Sequence, residues 1–520
     1  MAKFYRLILL ICFFLLLLRL AFLTIVQGEE FRFQAEQNRV VKERLASARG
    51  TIFDRNGEPL AIDVPYCLYL GEEKEREECL RLRSAGEKVD NFFRRYYPLK
   101  EAAAHVVGYL GQTSEEEVKS KQYQPGQLVG RGGIEEYYQD LLFGQDGYRL
   151  SETNIRGETV RDVGEITGRD GKSVVLFLDN RIQKKAFELI SERTGAVIVS
   201  NPQNGEVLAL ASSPSFDPNL FILNQDNQLI SSLLISPNQP FLNRAISARF
   251  PPGSIFKLVS GLAGLEEGVI DSKTEIEDTG FIEVNNYRYN NWLYTLHGRK
   301  DENVNIVEAV KRSNDIFFYR LGEKLGPDKM AEWSKKFFLD KLSGIDLPTE
   351  ALGFVPTAEW KEEVLGEPWF LGNSFHFAIG QGDLAITPLM ANLMTSYFAN
   401  DGYFCRPRLA KSVEPDCKKI VSSKDNRRLI LDGLLAACQP GGTASVFFDF
   451  EINGKKNQVA CKTGTAEFDA YNEETHAWFT VFAPVVDPVI SVAVFLQAGG
   501  GGGRDAAPIA KAILEEFFNN

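Results

Sequence analysis

Three short stretches carry residues suited to acyl transfer through a serine. Ser254 and Lys257 stand in Pro251-Pro-Gly-Ser-Ile-Phe-Lys257. A serine hydroxyl is a weak nucleophile without a base beside it, and a lysine serves as that base when its pKa falls. Spacing i, i+3 on a helix puts the two side chains on one face, about 5–6 Å apart at Cβ. Burial and a second cation, for which Lys462 is the candidate, both lower a lysine pKa. A helix start at Ser254 favours negative charge developing there. Read alone, the pair is a serine cap with a solvated lysine one turn on.

The second stretch is Ser313-Asn314-Asp315, between runs with helical patterning at 304–311 and 316–325. A short loop there offers Ser313 as a proton relay and a polar side chain, Asn314 or Asp315, to orient a substrate. The plain alternative is a cap for the second helix, a common role for such residues. The third is Lys462-Thr463-Gly464-Thr465, inside a strand-like run. Strand alternation points Lys462 and Gly464 to one face and Cys461 and Thr463 to the other. A glycine there lets backbone approach a ligand, and an N–H on an edge strand can serve an oxyanion hole. Cys461 reads as a packed core thiol.

Pro251, Pro252 and Gly253 cannot continue a helix, so one is predicted to start at Ser254. Phe256, Val259, Leu262 and Leu265 form its apolar stripe, and Gly268 suits its end. Residues 195–201 and 206–211 read as a hairpin around Pro202-Gln-Asn-Gly205, and 458–465, 476–483 and 489–496 as three more strands. A helix over 506–518 closes the chain. Strands from both ends of residues 166–520 with helices between them predict an α+β domain built on an antiparallel sheet. Before it, residues 49–61 read as strand, Asn-Gly turn and strand. Residues 28–48 read as a polar helical stem, 71–100 as partly helical, and 130–147 as a helix with Ile134, Tyr137, Tyr138, Leu141 and Leu142 on its apolar side.

At 520 residues the chain has length for two or more domains, and 44% hydrophobic with 25% charged residues is ordinary globular content. A net charge of −12 argues against a nucleic-acid partner. Four scattered histidines lack metal-ligand spacing; no metal or other cofactor is expected. The amino terminus carries Lys3 and Arg6, an uncharged run over 7–18, Arg19, and apolar residues to Val26. An apolar stretch of roughly 20 residues without a small-residue cleavage site reads as an uncleaved anchor rather than a signal peptide. Lys3 and Arg6 place the tail in the cytoplasm and the bulk of the chain outside. Arg19 costs about 2.5–3.5 kcal/mol near a helix centre unless it snorkels or meets a partner's polar group. Cys67 with Cys79, and Cys405 with Cys417, can each close a small loop in an oxidising compartment; free buried thiols are the alternative.

Taken together and in this order, the three motifs resemble those of the penicillin-recognising serine acyltransferases. The chain as a whole resembles a class B penicillin-binding protein, a peptidoglycan D,D-transpeptidase. RGTIFDRNGEPLA at 49–61 and GRGGIEEYYQDLLFGQDG at 130–147 resemble the family's non-catalytic pedestal. The stretches from Gly195, Asn243, Ala378 and His476 (GAVIVSNPQNGEVLALASSPSFDPN, NRAISARFPPGSIFK, AIGQGDLAITPL, HAWFTVFAP) resemble its transpeptidase domain. GQGDLAITPL and an aspartate at 315 resemble the elongation-type penicillin-binding protein 2 branch. The resemblance implies a cytoplasmic tail (1–5), a transmembrane helix (6–27), an elongated pedestal (28–165) and a transpeptidase domain (166–520) with a five-stranded antiparallel sheet flanked by helices.

It further implies Ser254 as the acylated nucleophile, Lys257 as its base and Ser313 as the relay to the leaving amine. Asp315 would orient the peptide, and Lys462 and Thr463 would bind its terminal carboxylate. Backbone N–H groups of Ser254 and Thr465 would make the oxyanion hole, with Asn314 and Gly464 also lining the substrate. The implied partners are D-Ala-D-Ala stem peptides with an amine acceptor, a polytopic glycosyltransferase of the shape, elongation and division group, and β-lactams as inhibitors. Asn201 stands where the family usually has aspartate, and 62–125 is short for the pedestal head. Competing readings are a β-lactamase, a membrane sensor acylated by β-lactams, and a non-catalytic activator of a glycosyltransferase.

Overall fold

A computed structural model of the chain describes residues 2–31, 40–87, 89–121, 123, 125–153, 159–223, 227–469 and 474–519. Its largest sheet has five strands in the spatial order Val207–Ser213, Gly195–Ser200, Ile490–Leu496, Glu474–Ala483, Ala460–Asp469, every neighbouring pair antiparallel. The β-branched and aromatic runs read from the sequence supply all five, and the Asn-Gly hairpin joins the first two. Among the described residues, Ala460–Asp469, which carries Lys462, is an edge strand and pairs with one neighbour.

Alternation divides the side chains of this sheet between two apolar layers. Ala460, Ala466, Trp478, Phe482 and Phe495 pack with Phe256, Leu258, Val259 and Leu262 of the helix region after Ser254. Cys461, Phe479, Val481, Val492 and Val494 pack with Ile182, Ala186 and Ile190 of helix Asn180–Ile190 and with Ile509, Ile513 and Leu514 of helix Ala507–Phe518. Each large apolar side chain so buried contributes about 1.5–3 kcal/mol. Helix Lys257–Glu266 is buried on all sides, Lys257, Leu258 and Ser260 included, rather than on the single stripe predicted. Ser260 Oγ meets its hydrogen-bonding need by donating to Ala378 O at 2.8 Å.

The chain divides into two compact units that are interleaved in sequence: residues 1–50, 63–94 and 143–172, and residues 51–62, 95–142 and 173–520. The first holds a three-stranded antiparallel sheet of Val40–Leu45, Gly147–Thr153 and Thr159–Ile166. The stem predicted as helix over 28–48 is therefore a strand at Val40–Leu45, because Val40 and Val41 favour extended backbone and Gly147–Thr153 supplies its ladder; residues 32–39 lie outside the described residues. The helix predicted over 130–147 is two short ones, Gly133–Tyr137 and Gln139–Leu142, broken at Tyr138, whose φ of −105° and ψ of 26° are not helical. Ile134 and Leu142 are buried there, while Tyr137 and Leu141 are exposed.

At the amino terminus, Phe4–Val26 is a continuous helical segment long and apolar enough to cross a membrane. Disulfides join Cys67 to Cys79 and Cys405 to Cys417, the pairs that spacing suggested. A third joins Cys438 to Cys461, so Cys461 is not the free core thiol expected.

Candidate active site

The turn before Ser254 is fixed by glycine. Gly253 has φ +55°, a region that strains any residue with a Cβ. A Cβ there would also lie 2.6 Å from the Thr465 carbonyl oxygen, so the turn is pressed against the edge strand. Gly253 N–H donates to Gly380 O at 2.9 Å. Gly464 is equally confined, since its Cβ would sit 2.8 Å from Ile255 Cγ1 and 2.9 Å from Trp478 Cβ. Ser254 thus emerges, half-buried, from a short 3-10 turn, Gly253–Ile255, that leads into the helix beginning at Lys257.

Lys257 and Lys462 are both fully buried and converge on Ser313. Lys257 Nζ donates to Ser313 O at 2.8 Å, to Ser313 Oγ at 3.4 Å and to Asp315 Oδ1 at 2.6 Å. Lys462 Nζ donates to Ser313 Oγ and to Thr463 O, both at 2.8 Å. The Ser313 hydroxyl therefore lies between two lysine nitrogens. Its backbone makes this possible: Ser313 caps helix Ile306–Arg312 in the left-handed region, φ +54°, where a non-glycine residue is held only by its surroundings.

Burial pushes the Lys257 pKa down, and the Asp315 carboxylate opposes that shift. Lys462 is held well below the usual lysine range, first by burial and then by the charge of Lys257, with Asp315 opposing. The sequence assigned the effect of a second cation to Lys257. In the fold it falls on Lys462, because Lys257 has a carboxylate of its own and Lys462 pairs with none among the described residues.

The five residues expected to meet substrate make these contacts within the protein. Asn314 is fully buried: its Oδ1 accepts from Phe317 N at 2.9 Å, capping helix Asp315–Lys336. Its Nδ2 donates to Asp278 Oδ2 at 3.0 Å and to Asp301 Oδ2 at 3.1 Å, so both ends of its amide are engaged within the protein. Asp315 is turned inward, Oδ1 accepting from Lys257 Nζ and Oδ2 from Trp292 N at 2.9 Å, which makes it the charge partner of Lys257. Thr463 lies on the strand face opposite Lys462 and donates to Thr443 Oγ1 at 2.8 Å. Gly464 is sandwiched as packing. Thr465 is exposed. The sequence reading missed Asp278, Asn291 and Trp292, whose only local signal is an Asp-Thr-Gly turn at 278–280 and an Asn before an apolar run. Among the described residues, no group of three or more His, Cys, Asp or Glu is placed to hold a metal ion.

A serine, a buried lysine one turn on, and a second Ser–Lys pair arriving from a helix junction and an edge strand are the groups that a serine acyltransferase requires. Residues 195–515 match the penicillin binding protein transpeptidase domain, and residues 80–176 match the penicillin-binding protein dimerisation domain. The peptidoglycan D,D-transpeptidase MrdA of Escherichia coli (strain K12) is 30% identical, with 95% of this chain and 90% of that protein aligned. MrdA of Acinetobacter baumannii is also 30% identical, over 98% of this chain and 86% of that protein. Among solved structures, the complex of penicillin-binding protein PBP2 with MreC from Helicobacter pylori superposes with a TM-score of 0.80 at 27% identity, covering 92% of this chain and 98% of that one. A structure described as the coordination of polymerization and crosslinking by a peptidoglycan synthase complex gives 0.82 at 27% identity, covering 99% and 98%. The chain belongs to the penicillin-binding protein transpeptidase family, in its elongation-type, penicillin-binding protein 2 branch. Its activity is that of a peptidoglycan D,D-transpeptidase.

Proposed function

We propose that Ser254 is the nucleophile of this transpeptidase and Lys257 its base. The observation that carries the reading is the chain of contacts Lys257–Ser313–Lys462 beside the Ser254 turn. Ser254 Oγ attacks the carbonyl of the penultimate D-Ala while its proton passes to neutral Lys257. The oxyanion is held by the N–H groups of Ser254 and Thr465, one such donor being worth about 2.7–4 kcal/mol. The tetrahedral intermediate collapses, the C–N bond breaks, and the leaving D-Ala amine takes a proton through Ser313 Oγ. Lys462 keeps that hydroxyl oriented and attracts the substrate's terminal carboxylate. A second stem's amine then attacks the ester, its proton returns along the same path, and Ser254 Oγ is released with a new amide formed.

The test is to label the full chain with a fluorescent penicillin and map the adduct. One modified peptide, containing Ser254, is expected, and Ser254→Ala should abolish labelling. An adduct on any other residue overturns the assignment.

The division into a cytoplasmic tail (1–5), a span (6–27), a pedestal (28–165) and a catalytic domain (166–520) is part of the same reading, as is a catalytic domain outside the cytoplasmic membrane. The apolar helix Phe4–Val26 supports it. A mature protein whose amino terminus begins near Glu29 would overturn the uncleaved anchor. The likeness to a peptidoglycan synthase complex favours a polytopic glycosyltransferase as membrane partner. Crosslinking and activation of that partner then use different surfaces, so Ser254→Ala should leave glycan polymerisation in the co-purified complex intact.

A further inference from the structure

We propose that Asp278 is a positioning residue for transpeptidation: its buried carboxylate gathers Asn291, Asp301 and Asn314 and so holds Asp315 against Lys257. Asp278 is 1% exposed and belongs to none of the three motifs. Its Oδ2 accepts from Asn291 Nδ2 at 2.6 Å, from Asp301 N at 2.9 Å and from Asn314 Nδ2 at 3.0 Å. Its Oδ1 accepts from Gly280 N at 2.8 Å. A carboxylate removed from water is costly unless donors surround it, and four neutral donors do so here. Asp301, the other carboxylate in the cluster, is occupied by Arg312 Nε at 3.3 Å and by Asn314.

The geometry runs from this carboxylate to the base by two routes. Asn291 Oδ1 accepts from Asp315 N at 3.3 Å, and the next residue, Trp292, donates its N–H to Asp315 Oδ2 at 2.9 Å. Fixing Asn291 therefore fixes both the backbone and the carboxylate of Asp315, leaving Oδ1 aimed at Lys257 Nζ. The second route is through Asn314, whose amide is pinned by Asp278 while its Oδ1 caps the helix that Asp315 opens. An amide at 278 cannot replace the carboxylate, because donors approach both oxygens and one position would become an NH₂ group facing an N–H.

The inference rests on the assignment of Lys257 as base, and its test is separable from that of Ser254. Asp278→Asn in the full chain should still be labelled at Ser254. Acylation at saturating fluorescent penicillin should fall by up to about 100-fold, the scale of a catalytic group misplaced by about 1 Å, with the half-saturating concentration little changed. The ascending limb of acylation against pH should also move to lower pH. The charged groups facing Lys257 are Asp315 and Lys462, and loosening Asp315 removes the one that favours the ammonium. Asp271→Ala, at an exposed turn, is the control. Asn291→Ala breaks the link to Asp315 while leaving the other three donors on Asp278, and serves where Asp278→Asn does not fold. A folded Asp278→Asn or Asn291→Ala protein with wild-type saturating rate and wild-type pH limb overturns the proposal, even if Ser254 is still the acylated residue.

Discussion

Lys257 Nζ lies 2.6 Å from Asp315 Oδ1, a close ion pair between a fully buried ammonium and a carboxylate 11% exposed. In this arrangement Lys257 Nζ is engaged by Ser313 and Asp315. With Lys257 as the proposed base, acylation requires its neutral amine, so burial and Asp315 act against each other in setting the pH of acylation.

Asp315→Asn removes the negative charge that favours the Lys257 ammonium. The Lys257 pKa then falls further, and the ascending limb of penicillin acylation moves to lower pH. Stopped-flow acylation from pH 5 to 9 measures it. A limb that moves to higher pH would show that Asp315 does not act through Lys257.

Lys257→Ala should slow acylation by roughly 10²–10⁴-fold, the range of a general base, with the adduct remaining on Ser254. A variant that acylates at close to the wild-type rate would place the base elsewhere, with Lys462 the next candidate.

Gly253→Ala places a Cβ 2.6 Å from the Thr465 carbonyl oxygen in a left-handed conformation. The strain is of the order of 1–3 kcal/mol, and relieving it shifts either the nucleophile turn or the edge strand. We expect a lower melting temperature together with slower acylation. Thermal melting alongside labelling separates the two, and unchanged acylation would mean that the turn tolerates the shift.

His105 is buried, with Nε2 2.9 Å from Pro240 O, and burial lowers its pKa from 6.5 to about 4. Between those values the unfolded chain binds a proton that the folded protein does not, so stability falls as pH falls. The slope is about 1.4 kcal/mol per pH unit from this one group. Denaturant unfolding at pH 7.5, 6 and 5 measures it, and His105→Gln should flatten the dependence. A slope unaffected by the substitution would assign it to other groups, His476 first, whose pKa is also lowered to about 4.

Non-reducing peptide mapping should recover the pairs Cys67–Cys79, Cys405–Cys417 and Cys438–Cys461, with Cys12, in the apolar helix, the remaining free thiol. The Cys438–Cys461 bridge ties the strand residue before Lys462 to the end of helix Lys424–Ala437, and closing such a loop stabilises by about 3 kcal/mol. Alkylation of Cys438 and Cys461 before reduction would contradict the pairing.

The sequence by itself determined the reaction chemistry and the scaffold strands. Ser254, Lys257, Ser313 and Lys462 were legible as candidates because their types and order are local signals, and the five strands because β-branched and aromatic runs between turn residues are local too. What the tertiary structure decided lies in contacts across sequence. No local pattern distinguishes Asn314 as a helix cap from Asn314 as a substrate ligand; that depends on Asp278, 36 residues away, whose carboxylate takes its amide. The same holds for Asp315, turned inward by Trp292 N–H and Lys257, and for Val40–Leu45, a strand only because Gly147–Thr153 offers it a ladder. Burial acts likewise on charge: Lys462 loses affinity for its proton because folding takes it out of water and sets it near Lys257, and neither condition exists until the strand and the helices meet.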